Sequence, residues 1–99
     1  MMKVKRDEFG NYYVTHNDVQ VISWNDTHVR LSYPEPPAEQ TPGNAWDRKL
    51  RASINEVASD CKLGFVVESG RLKRTVVTSR GQRGSVQFGK TMKFKYEMV

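Results

Sequence analysis

Residues 44–64 read NAWDRKLRASINEVASDCKLG, and their apolar periodicity decides the fold class. Apolar residues recur there at three- and four-residue spacing, which places them along one stripe of an α-helix. Asn44 is the predicted N-cap, and Gly64 is the predicted C-cap. The predicted buried stripe consists of Trp46, Leu50, Ile54, Val57, Ala58 and Cys61. The polar residues predicted to lie away from it are Asp47, Arg48, Arg51, Asn55, Glu56 and Asp60.

Three predicted strands precede this helix, at residues 11–16, Val19–Trp24 and 27–33, where aromatic and β-branched residues are frequent. Asn25-Asp26 tolerates positive φ and predicts a two-residue type I′ turn, which would pair Trp24 with Thr27. Because side chains alternate along a strand, one face of this hairpin is predicted to carry Gln20, Ile22, Trp24, Val29, Leu31 and Tyr33. Residues 34–43 (PEPPAEQTPG) contain all four prolines and predict an extended connector into the helix.

Three more predicted strands follow the helix. Residues 65–68 and 71–78 are predicted to form a hairpin through Ser69-Gly70, which would place Val67 opposite Leu72. One face would carry Phe65, Val67, Leu72, Arg74 and Val76, and the other, more polar face Val66, Glu68, Arg71, Lys73, Thr75 and Val77. Residues 79–84 (SRGQRG) predict an exposed basic loop. Beyond it, alternation predicts a last strand, bent or bulged at Gly89, whose core side carries Val86, Phe88, Met92, Phe94, Tyr96 and Met98.

The order of these elements, βββ-α-βββ, predicts an α+β fold in which a curved and mostly antiparallel β-sheet packs on a single amphipathic helix. A parallel sheet is not expected, because only one helix is available to connect strands. At 99 residues the chain is near the size of one domain. We therefore expect residues 1–99 to form a single domain, with residues 34–43 as a connector inside it.

Charge is unevenly distributed along the chain. Sixteen Lys and Arg residues against eleven Asp and Glu residues give a formal charge of +5. Residues 70–99 contain Glu97 as their only acidic residue, beside the basic residues Arg71, Lys73, Arg74, Arg80, Arg83, Lys90, Lys93 and Lys95. This asymmetry indicates a polyanionic or acidic partner, although a basic surface that only confers solubility would give the same composition.

Cysteine usage and the N-terminal residues predict a reducing, cytoplasmic location. Cys61 is the only cysteine, so it cannot close an intramolecular disulfide. The N-terminus opens with charged residues (Lys3, Lys5, Arg6, Asp7 and Glu8) instead of an apolar signal segment. No apolar run approaches the roughly 18 residues that a membrane-spanning helix needs, so we expect no contact with a membrane.

Patterns typical of enzymes and metal sites are not found in the sequence. His16 and His28 lie on separate predicted strands, and with Cys61 they do not match a metal-ligand spacing. No serine has the glycine-flanked elbow of a hydrolase, and no pair of carboxylates has a distinguishing context. Residues 81–84 match the bare G-x-x-G pattern of KH domains, but they follow a strand and do not connect two helices. We therefore expect no enzymatic activity, no metal and no cofactor.

The leading functional prediction is nucleic-acid binding through a basic face of the C-terminal strands. The candidate residues are Arg71, Lys73, Lys93 and Lys95, which are predicted to point away from the core, and Arg80 and Arg83 in the adjoining loop. Lys and Arg on such a face bind backbone phosphates by displacing counterions, with little or no reading of the base sequence. Tyr12, Tyr13 and Phe88 could stack on unpaired bases wherever they are exposed.

The alternative prediction is a protein-interaction module. A compact domain without catalytic groups could act as an adaptor or inhibitor that docks on an acidic protein or blocks a larger nucleic-acid-binding machine. Small proteins encoded by phages and mobile elements often have this style, but that is an analogy and not a property of these residues.

Overall fold

The structure, a computed structural model, describes residues 3–35, 45–71 and 74–95. In this part of the chain it contains eight strands and one helix, so the predicted α+β class is confirmed. In chain order the elements are β1 (Val4–Arg6), β2 (Tyr12–His16), β3 (Val19–Trp24), β4 (His28–Ser32), α1 (Ala45–Asp60), β5 (Phe65–Ser69), β6 (Arg74–Ser79), β7 (Gln82–Gln87) and β8 (Thr91–Lys95). Residues 36–43 of the predicted connector and the predicted N-cap Asn44 lie outside the described residues.

The strands form two antiparallel sheets where the sequence predicts one curved sheet. The larger sheet has five strands in the order β1-β2-β3-β4-β8, and the smaller has three in the order β5-β6-β7. β1 has no counterpart in the prediction, because its three exposed residues carry no apolar alternation. Within the described residues it is an edge strand that pairs only with β2.

The predicted two-residue turn is found at a different hairpin from the one that the sequence indicates. Asn17 and Asp18 have φ values of 51° and 64° and connect the paired residues His16 and Val19, so the two-residue turn with positive φ lies here. At the next hairpin, the Asn25 side chain instead accepts hydrogen bonds from the N–H groups of Thr27 (2.9 Å) and His28 (3.0 Å). This Asx turn lengthens the loop.

The longer loop shifts the register of β3 against β4. Trp24 pairs with Val29, two residues beyond the predicted partner Thr27. A shift of two residues preserves the face of every side chain, so Ile22, Trp24, Val29, Leu31 and Tyr33 are buried together as predicted. Gln20 is exposed instead, because a register irregularity between Val14 and Thr15 places it opposite Thr15 and leaves Val21 buried.

The helix buries its predicted stripe but ends differently from the prediction. Leu50, Ile54, Val57 and Ala58 are buried and Cys61 is half-buried, whereas the side chain of Trp46 lies outside what the structure describes. Lys62, with φ of 55°, is the left-handed residue after the helix. Its N–H donates to Ser59 O (3.2 Å), and the Leu63 N–H donates to Ala58 O (2.9 Å), which is a Schellman motif. The left-handed residue that ends the helix is therefore Lys62, at the C′ position, and not the predicted Gly64.

The hairpin of β5 and β6 has the opposite face inward from the one predicted for β6. Val67 pairs with Val77, five residues beyond the predicted partner Leu72, because β5 extends to Ser69 and β6 begins at Arg74. A shift by an odd number exchanges the faces of one strand. Thr75 and Val77 are consequently buried and Arg74 is exposed, so the predicted faces of β6 were wrong.

The predicted loop at residues 79–84 is mostly strand. Arg80 and Gly81, with φ values of 54° and 78°, form a two-residue turn that pairs Ser79 with Gln82. β7 then ends at Gln87, and the chain crosses through residues 88–90 into the other sheet, where β8 pairs with β4. The single bent strand predicted around Gly89 is thus two strands, although Val86 and Phe88 are buried and Met92 and Phe94 are half-buried on the predicted side.

Tyr33 links this crossover to the helix. Its N–H donates to Lys90 O (3.1 Å), its carbonyl accepts from the Gly89 N–H (2.8 Å), and its ring stacks on Phe88 at 5.0 Å between centroids. The Tyr33 hydroxyl donates to the carboxylate of Asp47, which also pairs with Arg51. Asp47 is only 1% exposed, so its predicted position away from the core was wrong. The buried tyrosine hydroxyl accounts for this placement, because a buried donor needs a partner.

The Asn55 side chain, also predicted to lie away from the core, points toward β5. Its side-chain amide donates to Val67 O (3.0 Å) and accepts from the Val67 N–H (2.8 Å). β5 is an edge strand of the smaller sheet, and this amide pairs with the backbone groups that the edge would leave open.

Candidate nucleic-acid interface

One row of side chains crosses all five strands of the larger sheet on the face opposite the core. Backbone pairing joins Lys5 to Tyr13, Tyr13 to Ser23, Ser23 to Arg30 and Arg30 to Lys93. We call this set the cross-strand row. Side chains alternate between the two faces of a strand. The residues next to Tyr13, Ser23 and Arg30 in the chain include buried core residues, so the cross-strand row itself lies on the opposite face.

The cross-strand row is cationic at both ends. Lys5, Arg30 and Lys93 are exposed, and Tyr13 and Ser23 are half-buried. Lys95 follows on the same side of β8, where it pairs with His28. The described members of the row and these two neighbours include no carboxylate. Arg30 and Lys93 are direct cross-strand neighbours, an arrangement of like charges that destabilises a sheet when no anion lies between them.

A polar cleft of about 300 Å³ lies along the cross-strand row. Its lining is mostly amide, hydroxyl, imidazole and cationic groups: Asp7, Asn11, Tyr13, Gln20, Ser23, Trp24, Asn25, His28, Arg30 and Lys93. Such side chains offer both hydrogen-bond donors and acceptors to a bound molecule.

Among the residues that the structure describes, Asp7 is the one carboxylate that lines this cleft. Its Oδ1 accepts hydrogen bonds from the N–H groups of Phe9 (2.9 Å) and Asn11 (2.8 Å), and its Oδ2 accepts from the Asn11 side chain (3.1 Å). Desolvation acts to raise the pKa of Asp7, but these hydrogen bonds outweigh it and hold the pKa below its usual value. Asp7 is therefore ionised at neutral pH and braces the turn between β1 and β2.

A second basic cluster surrounds a cleft between β7 and β8. Arg80, Arg83 and Lys95 line this cleft of about 330 Å³, with Val77, Met92 and Phe94 as its apolar part. β7 and β8 are edge strands of different sheets and are not paired with each other. They approach closely at Gly84, where a Cβ atom would lie 2.7 Å from Met92 Cε.

The structure divides the predicted site residues among three places. Arg80, Arg83 and Lys95 come together at the β7–β8 cleft, whereas Lys93 belongs to the cross-strand row. Arg71 is exposed in the connection between β5 and β6, and Lys73 lies outside the described residues.

Sequence reasoning missed Lys5 and Arg30. The alternation along β4, with Arg30 between the apolar residues Val29 and Leu31, indicated that Arg30 faces outward. The neighbour that makes Arg30 part of a site is Lys93, and this pairing joins two distant parts of the chain.

Of the three aromatic residues considered for stacking, Tyr13 is the one on the cross-strand row. Tyr12 faces the other side, where it stacks on Trp24 at 5.7 Å between centroids and lies under the Arg6 guanidinium. Phe88 is 8% exposed and belongs to the core.

Cys61 and the possible metal ligands give no second site. Burial, and then the charge of Asp60, raise the pKa of the Cys61 thiol, which keeps it protonated and poorly nucleophilic. Within residues 3–35, 45–71 and 74–95, no group of three or more His, Cys, Asp or Glu side chains could hold a metal ion.

The helix in the described part of the chain is not long and apolar enough to cross a membrane.

A scan against protein-family models, a search of curated proteins and a search of solved structures each found no match to this chain.

Proposed function

We propose that this protein binds nucleic acid through the outer face of its five-stranded sheet. Lys5, Arg30, Lys93 and Lys95 would contact backbone phosphates. The observation that carries the proposal is the cross-strand row, in which three cations are held in register across one rigid sheet. Cations on regular strands are positioned more firmly than cations on loops, which favours a repeated polyanion as the ligand.

The size of the row fits a short stretch of nucleic acid. It spans four strand intervals, or about 19 Å at ~4.8 Å per interval. At ~3.4 Å per charge along one strand, this corresponds to roughly six nucleotides, and to fewer if the strand is stretched. Site sizes of about 4–16 nucleotides are usual for single sheet-based modules.

The close pair of Arg30 and Lys93 supports an anionic ligand in particular. Two cations at paired positions repel each other in the free protein, and a phosphate between them would turn this repulsion into two attractions. The Arg30 guanidinium could bind the phosphate through two parallel N–H groups, with the Lys93 ammonium as a point charge beside it.

A double charge reversal tests this proposal. In Arg30→Glu/Lys93→Glu we expect binding to a labelled oligonucleotide, measured by fluorescence anisotropy, to fall more than tenfold at low salt. Any residual binding should depend less steeply on salt, with the slope of log K against log salt concentration reduced by about one unit for the one phosphate that the pair would hold.

The matched control is Arg48→Glu/Lys49→Glu, which changes the net charge equally at exposed positions of α1. If the control weakened binding as much as the double reversal on the sheet, only net charge would matter and the sheet face would not be the site. Thermal unfolding of both variants should stay near that of the wild type, since exposed charges contribute little to stability.

A protein partner is the second candidate, and the β7–β8 cleft favours it. An extended acidic peptide could pair with an open strand edge there, place an apolar side chain near Met92 and Phe94, and meet the cations Arg80 and Arg83. A nuclease-treated pull-down with the wild type and with Arg80→Glu/Arg83→Glu tests this candidate. Recovery of one stoichiometric protein by the wild type but not the variant would support it, and recovery of no protein, or of the same protein by both, would contradict it.

A further inference from the structure

We infer that the nucleic acid is single-stranded and that one of its unpaired bases stacks on Tyr13. This inference rests on the proposed function, because it assigns the form of the ligand at the same sheet face. It is carried by the position of one aromatic ring and by the width of the sheet.

Tyr13 is the only Tyr, Phe or Trp in the cross-strand row. It lies between Lys5 and Ser23 on the neighbouring strands, and its half-buried side chain is supported by the sheet while part of it remains accessible. An aromatic ring between cations is the arrangement that proteins use to bind bases and phosphates of one strand together.

The cleft beside Tyr13 has room and partners for a base. It is lined by Asn11, Gln20, Ser23 and His28, whose polar groups could hydrogen-bond to the edge of a base that lies on the ring. An acidic protein surface would not require this combination of an aromatic ring and several polar hydrogen-bonding groups, so the observations favour nucleic acid over a protein at this face.

The width of the sheet excludes a duplex from the same contact. Five strands span about 19 Å, whereas the major groove of B-DNA is about 12 Å wide and admits a helix or a two-stranded ribbon. Bases inside a duplex therefore cannot reach Tyr13 in the interior of the sheet. A duplex could contact this face only through its backbone, and an unpaired base can reach the ring without distortion.

The test compares ligands and variants in one anisotropy assay. The probes are a ten-nucleotide oligo-dT, an oligo-rU of the same length and a blunt ten-base-pair DNA duplex. We expect the wild type to bind at least one single strand about tenfold or more tightly than the duplex. Tyr13→Leu should weaken single-strand binding by about 5- to 150-fold, the usual range for loss of one stacked base, and should leave duplex binding unchanged.

Two further variants separate stacking from damage to the fold. Tyr13→Phe keeps the ring and should stay within about threefold of the wild type, whereas Tyr12→Leu removes a neighbouring ring on the opposite face and should not affect binding once its folding is verified by thermal unfolding. Equal binding of single strands and duplex, or no effect of Tyr13→Leu, would overturn the inference while the proposed function stands. Absence of binding to all three probes at low salt would overturn both.

Discussion

Tyr33 contributes to three contacts that come from different parts of the chain. Its backbone binds the crossover at residues 88–90, its ring stacks on Phe88, and its hydroxyl donates to Asp47 on the helix. Burial, and then the hydrogen bond to Asp47 and the negative charge of Asp47, raise the pKa of the Tyr33 phenol far above its usual 10.0, against smaller opposing effects of Thr75 and Arg51. One side chain therefore couples folding to protonation.

This coupling predicts a loss of stability in alkali. The folded protein keeps the Tyr33 proton above pH 10, where the unfolded chain releases it, so the folded state binds more protons there. The free energy of unfolding should be unaffected by this group below pH 10 and should fall above it, with a slope approaching about 1.4 kcal/mol per pH unit.

Urea unfolding of wild type, Tyr33→Phe and Tyr12→Phe between pH 7 and 11 measures this slope. Tyr33→Phe should lose about 1–3 kcal/mol at pH 7, because the buried Asp47 carboxylate loses a donor, and should lack the Tyr33 part of the alkaline slope. Tyr12→Phe should keep it, as Tyr12 is an exposed tyrosine. An identical slope in all three proteins would show that Tyr33 does not cause the alkaline loss.

At the scale of elements, the helix protects an open strand edge. Asn55 supplies a donor and an acceptor to the backbone of Val67, so the outer side of β5 is partly occupied. An unoccupied edge exchanges its amide hydrogens faster and pairs with other chains.

We expect Asn55→Ala to lower the free energy of unfolding by about 1–3 kcal/mol, because two backbone groups lose their partners. Hydrogen exchange of the Val67 amide should accelerate by more than the change in global stability explains. The control is Glu56→Ala, at the next and exposed position of the helix, which should change stability by less than about 0.5 kcal/mol. Unchanged protection of Val67 in Asn55→Ala would contradict the edge-protection role.

At the scale of the whole molecule, both sheets and the helix contribute to one hydrophobic cluster. Ile22 and Leu31 come from the larger sheet, Val67 and Val77 from the smaller one, and Ile54 from α1. A shared core couples the unfolding of the layers that enclose it.

We therefore predict a single cooperative unfolding transition. Urea curves from far-ultraviolet circular dichroism, which reports on all elements, and from tryptophan fluorescence, which includes Trp24 of the larger sheet, should coincide. Two separated transitions would mean that the sheets unfold independently and that residues 1–99 do not behave as one domain. Truncation of Ile54 to Ala, at a fully buried position, should lower the free energy of unfolding obtained from both curves by about 2–5 kcal/mol.

The features that the sequence predicts well are those that local periodicity determines. The helix stripe depends on spacing within one element. The inward positions of Ile22 and Trp24 in β3 and of Val29 and Leu31 in β4 are unaffected by a register error of two residues. β6 was predicted with the wrong face because its connection to β5 is longer than two residues, and an error of five residues inverts a strand.

The candidate interface could be predicted only in part. Lys93 and Lys95 follow from alternation along β8, but the partner of Lys93 is Arg30, far away in the sequence. Local patterns carry no signal for such a pairing, and Lys5 lies on a strand too short to show alternation. The position of Asp47 was predicted wrongly for a similar reason, since the buried hydroxyl that binds it comes from Tyr33, 14 residues earlier in the chain.

The crossover at residues 88–90 also determines when, during synthesis of the chain, the cross-strand row can form. β8 is the last described strand along the chain, yet it pairs with β4, which is made long before it. During translation, at roughly 5–20 residues per second, one edge of β4 therefore stays without its partner β8 for several seconds. A nascent chain therefore lacks Lys93 beside Arg30 until β8 has been made, so the cross-strand row is completed only after the other described strands have been synthesised.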